Sequence, residues 1–261
     1  MMADRARSGE APACGRHIFS SAWSSGAAPR CVRGVRLIQP CLMEPSAPPL
    51  PTPETVWSGF DPAAGPLEEQ VLRTWLEGGV QHKEVFFSAF IRGETVRVYG
   101  VYAEPVHSED DVAGEGRSKL LPALLHMHGG GQTVAPHYLS WASRGYCVLS
   151  INCHGEGFDR PAGTYTVYPS TMPEGNHQNG LVLNNNTEPD LTRSSWWLWA
   201  AVNRRALTYL AAQPAVDVDR LGIFGISMGG TSIWPVAMDK RVKAACAIYG
   251  IGWDDHVPYD R

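Results

Sequence analysis

Short apolar runs alternate with glycine-rich turns and helical segments from residue 121 onwards, and this alternation constrains the fold more than any other feature. Residues 121–128 and 145–152 have the length and composition of strands that are buried on both faces of a parallel sheet. The same kind of run returns at 219–225 and 242–251. Strands that alternate with helices predict an α/β fold with a mostly parallel sheet and helices on both faces.

The segments around these runs predict the other elements. Residues 84–91 and 95–103 are typical of two strands around a turn at 92–94, and they predict an antiparallel hairpin at one edge of the sheet. Apolar side chains at helical spacing, followed by a Gly-Gly pair, predict a helix over 66–79. Further helices are predicted over 136–144, 190–213 and 228–239.

The first 60 residues differ in composition from the rest of the chain. Residues 1–48 are rich in Arg, Ala, Ser and Pro and poor in acidic residues, and 45–53 are typical of an extended linker. We expect residues 1–60 to be disordered or extended and 61–261 to form a partial α/β domain. The apolar core of a secretory signal is absent, which favours a cytoplasmic location; an organelle transit peptide and a true start at Met43 remain open.

Composition and charge argue against several classes of function. The formal net charge is −4 and no basic stripe occurs, which argues against nucleic acid as a partner. No apolar run reaches the ~18 residues of a membrane-spanning helix. No P-loop and no G-x-G-x-x-G after a strand occurs, which disfavours nucleotides. None of the six cysteines forms C-x-x-C, and Cys147 and Cys246 lie in apolar runs, so we expect reduced and buried thiols.

A serine lies at the centre of a G-x-S-x-G motif at residues 225–229. The motif follows a predicted strand and opens a predicted helix, which is the context of the sharp turn that exposes a nucleophilic serine. Small residues at Gly225 and Gly229 permit the close backbone approach that this turn requires. The motif predicts Ser227 as a catalytic nucleophile, and the alternative is a chance match in a glycine-rich chain.

A second glycine-rich motif, HGGGQ, follows an earlier predicted strand. Acyl transfer places negative charge on the former carbonyl oxygen, and backbone N–H groups aimed at that oxygen stabilise it. The motif therefore predicts an oxyanion hole formed by the amide of Met228 with an amide of the turn Gly129, Gly130 and Gly131. Two motifs in this order on separate strands are more specific than either motif alone.

The chain resembles the α/β-hydrolase superfamily over about residues 121–252, in the stretches HMHGGGQ, SRGYCVLSINCHGEG, VDVDRLGIFGISMGG and DKRVKAACAIYGIG. Within it, the chain is similar to the acetyl xylan esterase, cephalosporin-C deacetylase and dienelactone hydrolase group, with the prolyl oligopeptidase-type hydrolases nearby. The resemblance implies an α/β-hydrolase fold, an ester or amide substrate and no cofactor. It also implies that nucleophile, acid and histidine follow one another in this order along the chain.

The sequence departs from this family pattern after Ser227. In the family the acid follows the strand after next and the histidine follows the last strand, whereas this chain ends soon after the strand predicted at 242–251. We therefore expect the last strands of the fold to be missing and the acid and histidine to lie outside this chain. Weaker candidates are His256 as base with Asp254 or Asp255 as acid, although adjacent residues are poorly placed to act as such a pair.

The long segment 153–191 exceeds an ordinary loop, which predicts an active-site insert. Polar and aromatic residues of this segment and of the C-terminal tail are candidates for substrate contact or for loop packing, namely His154, Glu156, Tyr165, Tyr168, His177 and Trp253. His126 and His128 form an H-x-H pair at a strand end, but no further ligands with recognisable spacing follow, so no metal site is predicted. We expect His126 to be a hydrogen-bonded core residue and His128 to support the oxyanion turn.

These observations predict a serine hydrolase of the carboxylesterase type that deacetylates acetylated carbohydrate or a similar small ester. A prolyl oligopeptidase-type peptidase is one alternative, although the ~120 residues before the core are too few for the large extra domain of such enzymes. A catalytically inactive truncated fragment, or a binding remnant, is the other alternative. A small-molecule ester is the expected partner, and the sequence does not indicate an oligomeric state.

Overall fold

A computed structural model describes residues 52–106, 120–131, 133–134, 136–156, 162–176 and 190–250. All of these residues belong to one compact unit, Pro49–Arg261. Within the described ranges, no helix is long and apolar enough to cross a membrane.

The described residues form a mixed sheet of seven strands. The strands are β1 Gln70–Glu77, β2 Val80–Ile91, β3 Glu94–Pro105, β4 Leu121–Met127, β5 Cys147–Ile151, β6 Val216–Ile226 and β7 Val242–Ile248. Their order across the sheet is β1-β2-β3-β5-β4-β6-β7. Neighbours from β1 to β5 in this order pair antiparallel, whereas β5, β4, β6 and β7 are parallel. The parallel strands end at the same edge of the sheet, which is where open α/β sheets bind their ligands.

Helices pack against this sheet at the places that the sequence predicts after residue 121. The α-helices are α1 Pro53–Trp57, α2 Pro136–Leu139, α3 Ser195–Ala211 and α4 Met228–Ala237, and short 3-10 helices cover Ser140–Arg144, Pro173–Gly175 and Leu191–Arg193. Ser194 caps the N-terminus of α3, because its side chain accepts a hydrogen bond from the N–H of Trp197. Most side chains of α3 are buried in the main hydrophobic core. The predicted α/β architecture is therefore confirmed.

The predicted helix over residues 66–79 is wrong, because most of this segment forms strand β1. β1 pairs antiparallel with β2 along its length. Gly78 and Gly79 have φ values of 58° and 76°, so they form the two-residue hairpin turn between the strands instead of ending a helix. Pairing with β2 outweighs the helical spacing of the apolar side chains. The predicted hairpin corresponds to β2 and β3. It does not form the edge of the sheet, because β1 pairs with β2 and is itself the edge strand.

Ordered structure also begins earlier than the predicted boundary at residue 61. Thr52 accepts a hydrogen bond from the N–H of Thr55 and thereby caps the short helix α1. Trp57 is buried and stacks on Trp197 with ring centroids 5.3 Å apart. Phe60 packs edge-on against the same ring at 5.8 Å. The aromatic side chains of this segment are part of the core. The proline-rich composition around them is typical of an extended linker, so the sequence did not predict this packing.

A buried arginine joins α3 to the antiparallel strands. Arg205 is 1% exposed, and its Nε donates to the carbonyl of Ser88 in β2 at 2.7 Å. Its two Nη atoms donate to three carbonyls of the segment before β1, at 2.9–3.0 Å, namely those of Pro62, Gly65 and Pro66. Each of these donors therefore meets a backbone acceptor, and three of the four carbonyls lie in the irregular segment before β1.

β7 forms the other edge of the described sheet, and its side chains are exposed after Val242. Cys246 in this strand is exposed, so the prediction of a buried thiol is wrong for it. Among the described strands β7 pairs with β6 alone, so its side chains have neighbouring strand side chains on one side only. Cys147 in β5 lies between two strands and is buried as predicted, and burial raises the pKa of its thiol to about 11.

Candidate active site

Ser227 alone forms the turn between β6 and α4. Its φ is 55° and its ψ is −116°, a region that non-glycine residues rarely occupy and that costs roughly 1–3 kcal/mol. Its N–H donates to the carbonyl of Ile248 at 2.8 Å, and its own carbonyl accepts from the N–H of Thr231 at 2.9 Å. The side chain is exposed at the carboxyl end of the sheet. The strand–turn–helix geometry predicted from G-x-S-x-G is therefore confirmed.

Two glycines allow this turn to pack against its neighbours. A Cβ on Gly225 would lie 2.5 Å from the carbonyl oxygen of Gly229. A Cβ on Gly229 would lie 2.1 Å from the carbonyl oxygen of Met127, the last residue of β4. Both obstructing atoms belong to the backbone of packed elements, which cannot move aside as a flexible side chain can. The motif glycines therefore bring β6, α4 and the end of β4 together beside Ser227.

The glycine turn after β4 lies next to the start of α4. β4 and β6 are neighbours in the sheet, with Met127 opposite Gly225. A Cβ on Gly130 would lie 3.3 Å from the Sδ atom of Met228. The predicted proximity of HGGGQ to Ser227 is therefore confirmed for the described residues of the motif.

Two buried histidines adjoin this turn. His128 is 1% exposed, and its Nδ1 donates to the carbonyl of Gly129 at 2.9 Å. The ring of His154, also 1% exposed, meets that of His128 edge-on at 4.7 Å. Trp199 of α3 lies 4.4 Å from His154, between ring centroids. His128 supports the turn through Gly129, and His154 packs behind it, so a contact between His154 and a substrate stays a prediction.

His126 is a hydrogen-bonded core residue, as predicted. Its Nδ1 lies 2.9 Å from the hydroxyl oxygen of Ser150, and its ring stacks on Tyr138 at 3.7 Å. Burial lowers the pKa of His126 to about 3, helped by the nearby His128 and His137. The imidazole is therefore neutral at pH 7. Among the residues that the structure describes, no group of three or more His, Cys, Asp or Glu side chains could hold a metal ion.

The central described part of the insert, residues 162–176, is tied to the sheet. Val167 and Arg97 of β3 exchange two backbone hydrogen bonds, at 2.8 and 3.0 Å. Tyr168 is buried, and its hydroxyl donates to the carbonyl of Cys153 at 2.6 Å. Burial raises the pKa of this phenol well above its ordinary value. Tyr168 is therefore a core residue whose hydroxyl and ring are enclosed, which favours loop packing over substrate contact among the two predicted alternatives.

The remaining candidates differ in what the structure says of them. Tyr165 is half-buried and Glu156 is exposed, so both stay predicted substrate contacts. Five candidates lie outside the described residues, namely His177, Trp253, Asp254, Asp255 and His256. The Ser227 side chain makes no capping hydrogen bond to the described N-terminus of α4. Its hydroxyl is therefore not engaged in a hydrogen bond that caps α4.

The sequence predictions missed Asn152, which directly follows β5 and is fully buried. It lies at the same edge of the parallel sheet as Ser227 and the glycine turn. A signal was present in the sequence, because a polar residue closes an otherwise apolar buried run at the edge where α/β sheets bind ligands. Composition alone does not show which loops such a side chain would contact.

Comparison with known proteins identifies relatives of this chain. The family profile of acetyl xylan esterases (AXE1) matches residues 76–252, about two thirds of the chain. An acetyl xylan esterase from Paenibacillus sp. R4 is similar in structure, with 23% identity and a TM-score of 0.51 over 71% of this chain and 54% of that chain. Acetyl xylan esterase 1 from Thermoanaerobacterium sp. JW/SL YS485 has 19% identity and a TM-score of 0.49 over 75% and 56% of the two chains. No curated protein matches the sequence.

The likeness to the Paenibacillus structure shows the fold. The mixed sheet with helices is an α/β-hydrolase fold, as the sequence predicts. The chain spans about half the length of the two solved esterases that it matches.

Proposed function

Because this chain belongs to the acetyl xylan esterase (AXE1) family, we propose that it is a serine esterase with Ser227 as its nucleophile. The observation that carries the proposal is the exposed Ser227 in a strained turn between β6 and α4. In such a turn the hydroxyl stands clear of the backbone, so a substrate carbonyl can approach it. The N-terminus of α4 directly follows Ser227, and its free N–H groups favour negative charge there.

The oxyanion hole of this proposal combines two backbone amides. Met228 is the first residue of α4, so its N–H has no partner within the helix. Gly130 is close to the Met228 side chain, which brings a second strand-end amide to the same place. Each such donor contributes roughly 100- to 1000-fold to the rate in serine hydrolases.

The proposed substrate is an acetyl ester of a carbohydrate, because the family is named for enzymes that deacetylate xylan. The Ser227 oxygen attacks the acetyl carbonyl, and its proton passes to a general base. The bond to the sugar oxygen then breaks, and that oxygen takes the proton from the base. Water, activated by the same base, hydrolyses the acetyl-serine and releases acetate.

The base that this reaction needs is a histidine oriented by an acid, and two sources are open to experiment. One is His256 with Asp254 or Asp255 in this chain. The other, which we propose, is sequence that continues beyond Arg261, because the chain spans about half the length of its solved relatives. Without its histidine, a nucleophilic serine loses most of its rate.

A chromogenic acetyl ester assay tests the proposal. We would compare the 261-residue chain with a version extended to the next stop codon, each with Ser227 intact and as Ser227→Ala. We expect strong turnover by the extended version, a loss of at least ~1000-fold in Ser227→Ala, and little turnover by the short chain. Turnover that survives Ser227→Ala would overturn the assignment of Ser227 as the nucleophile. Strong turnover by the short chain that is lost in His256→Ala would assign the base to His256 instead.

A further inference from the structure

Asn152 connects the two loops that leave neighbouring parallel strands at the edge of the sheet that carries Ser227. It is fully buried, and its position just after β5 places it beside the loop that follows β4. Its backbone N–H donates to the carbonyl of Tyr99 in β3 at 3.0 Å, which fixes the residue to the sheet. The backbone from which the side chain extends is therefore fixed by the sheet.

The side chain of Asn152 holds the far end of the loop that contains the glycine turn. Its Oδ1 accepts from the N–H of Val134 at 2.8 Å and from the hydroxyl of Thr133 at 3.0 Å. Its Nδ2 also lies 2.8 Å from the Thr133 hydroxyl oxygen. These two residues come shortly after Gly131 in the chain. The near end of the turn is held by His128, whose ring donates to the carbonyl of Gly129.

The same residue holds the described part of the insert. Its Nδ2 donates to the carbonyl of Thr164. Its own carbonyl accepts from the hydroxyl of Thr166 at 2.6 Å and from the N–H of Thr166 at 3.3 Å. An asparagine suits this place because the loop after β4 presents an N–H donor and the insert presents a carbonyl acceptor. Aspartate lacks the N–H donors, and alanine lacks both groups.

The glycine turn needs an anchor at each end, because glycine residues do not restrict their own backbone conformation. The residues at 129–131 have no side chains to pack, so their backbone has more freedom than that of other residues. Oxyanion donors act only when they are fixed in place before the reaction, and a displacement of ~1 Å can cost about 100-fold in rate. The far anchor of the turn is Asn152.

We propose that Asn152 is a positioning residue that holds the glycine turn and the insert in register with Ser227. The proposal rests on the proposed function, in which amides of this turn stabilise the oxyanion. Asn152 does not touch the reacting atoms, and it acts through Val134 and Thr133. Its loss should lower kcat with little change in KM, because the ester still binds while the oxyanion donors lose their fixed position.

The test compares Asn152→Ala with Asn203→Ala in the chain version that turns over acetyl esters. Asn203 is an equally buried asparagine in α3 whose amide donates to the carbonyl of Trp199 at 2.9 Å, so it controls for the loss of a buried amide. We expect Asn152→Ala to lower kcat roughly 10- to 100-fold with KM within about 3-fold. Asn203→Ala should leave kcat within about 3-fold.

A milder variant keeps the proposal testable if Asn152→Ala does not fold. Thr133→Val replaces an exposed residue by one of similar shape and removes only the hydroxyl that bonds to Asn152. We expect a fall in kcat of roughly 3- to 10-fold with KM unchanged. Unaltered kcat in both Asn152→Ala and Thr133→Val, or an equal fall in Asn203→Ala, would overturn the positioning role.

Hydrogen exchange separates a failure of this inference from a failure of the proposed function. The N–H of Val134 loses its acceptor in Asn152→Ala, so we expect its exchange to accelerate at least roughly tenfold relative to amides of β4. The same amide should keep its rate in Asn203→Ala. Unchanged exchange at Val134 would overturn the anchoring whatever the enzyme does. If exchange at Val134 accelerates in Asn152→Ala but esterase activity survives Ser227→Ala, Asn152 still anchors the loop. Its proposed role in positioning the oxyanion donors would then be overturned.

Discussion

The antiparallel part of the sheet, β1 to β3, and the parallel part, β4 to β7, are stabilised in different ways. In the antiparallel part, the buried guanidinium of Arg205 is paired, because its donors meet four backbone carbonyls. In the parallel part, backbones meet at contact distances that exclude a Cβ, and Ser227 has a strained backbone. Strained residues persist only where the surrounding structure over-determines them. The comparison shows that the strain of the proposed active site lies among the tight backbone contacts of the parallel part, whereas the antiparallel part is joined to α3 by the Arg205 hydrogen bonds.

The two edges of the sheet repeat this contrast. At the β1 edge, Arg73 forms an ion pair with Glu84 and lies 4.6 Å from the centre of the Trp75 ring. The pairing of β1 with β2 is also interrupted by a register shift. Charges and irregular pairing discourage the addition of another strand. The pairing of β7 with β6 also contains a register shift. β7 has Lys243 as its only charged residue and is exposed after its first residue, so it carries fewer charges than β1.

The largest effect should follow from a side chain placed into the tight contacts of the parallel part. Gly229→Ala puts a Cβ 2.1 Å from the carbonyl oxygen of Met127, where only a backbone shift relieves the overlap. We expect the free energy of unfolding to fall by more than about 4 kcal/mol, or the protein not to fold. Gly59→Ala is the matched control, because its Cβ meets nothing within 4 Å. Urea unfolding that shows the two variants to be equally stable would contradict the tight packing beside Ser227.

The next effect should come from the polar network of the antiparallel part. Arg205→Met leaves the carbonyls of Ser88, Gly65 and Pro66 without this donor, so we expect a loss of about 3–4 kcal/mol. The carbonyl of Pro62 keeps the hydroxyl of Thr208 as a donor. Arg220→Met is the control from the parallel part. Its half-exposed guanidinium pairs with Asp217, and its loss should cost no more than about 1 kcal/mol. If chemical unfolding showed that Arg205→Met and Arg220→Met lose equal free energy of unfolding, the proposed difference between the two parts of the sheet would be contradicted.

The smallest effect should appear in the pH dependence of stability. Burial lowers the pKa of His126 to about 3, below its unfolded value of about 6.5. The unfolded chain therefore binds a proton that the folded chain does not, and stability falls as the pH drops from about 6.5 towards 3. At pH 4 this histidine should account for about 3 kcal/mol, and His126→Phe should flatten the loss between pH 7 and pH 4 by that amount.

His82 in β2 provides the comparison from the antiparallel part. Its ring stacks on Trp75 at 4.8 Å, and burial lowers its pKa as well. We expect His82→Phe to flatten the loss of stability less than His126→Phe does, because His82 is less deeply enclosed. Unfolding curves recorded from pH 7 to pH 4 would contradict this if the wild type and His126→Phe lost stability in parallel.

The parts of the fold that were predictable from sequence are those with local signals. The apolar runs after residue 121 predict β4 to β7, and G-x-S-x-G predicts the turn at Ser227 because its glycines and its position between strand and helix are local features. The segment of β1 was not predictable in this way. Its apolar residues fit helical spacing, and only pairing with β2 makes it a strand.

Other features depend on contacts that are distant in sequence. The core positions of Trp57 and Phe60 require α3, and the exposure of Cys246 depends on which strands flank β7. Asn152 closes a predicted strand, but its role follows only from loops that converge on it. The nucleophile motif and the glycine turn were therefore predictable as a pair, whereas the residue that connects the turn to the insert was not.

The docking of the N-terminal segment onto α3 has a consequence for how the chain is made. Arg205 bonds to the carbonyls of Pro66 and Gly65, which precede it by 139 and 140 residues. A ribosome adds about 5–20 residues per second, so these carbonyls are synthesised roughly 7 to 30 s before their partner. For that interval Trp57 and Phe60 have no ring of Trp197 to pack against, and the nascent chain presents two aromatic side chains to the chaperones that meet it.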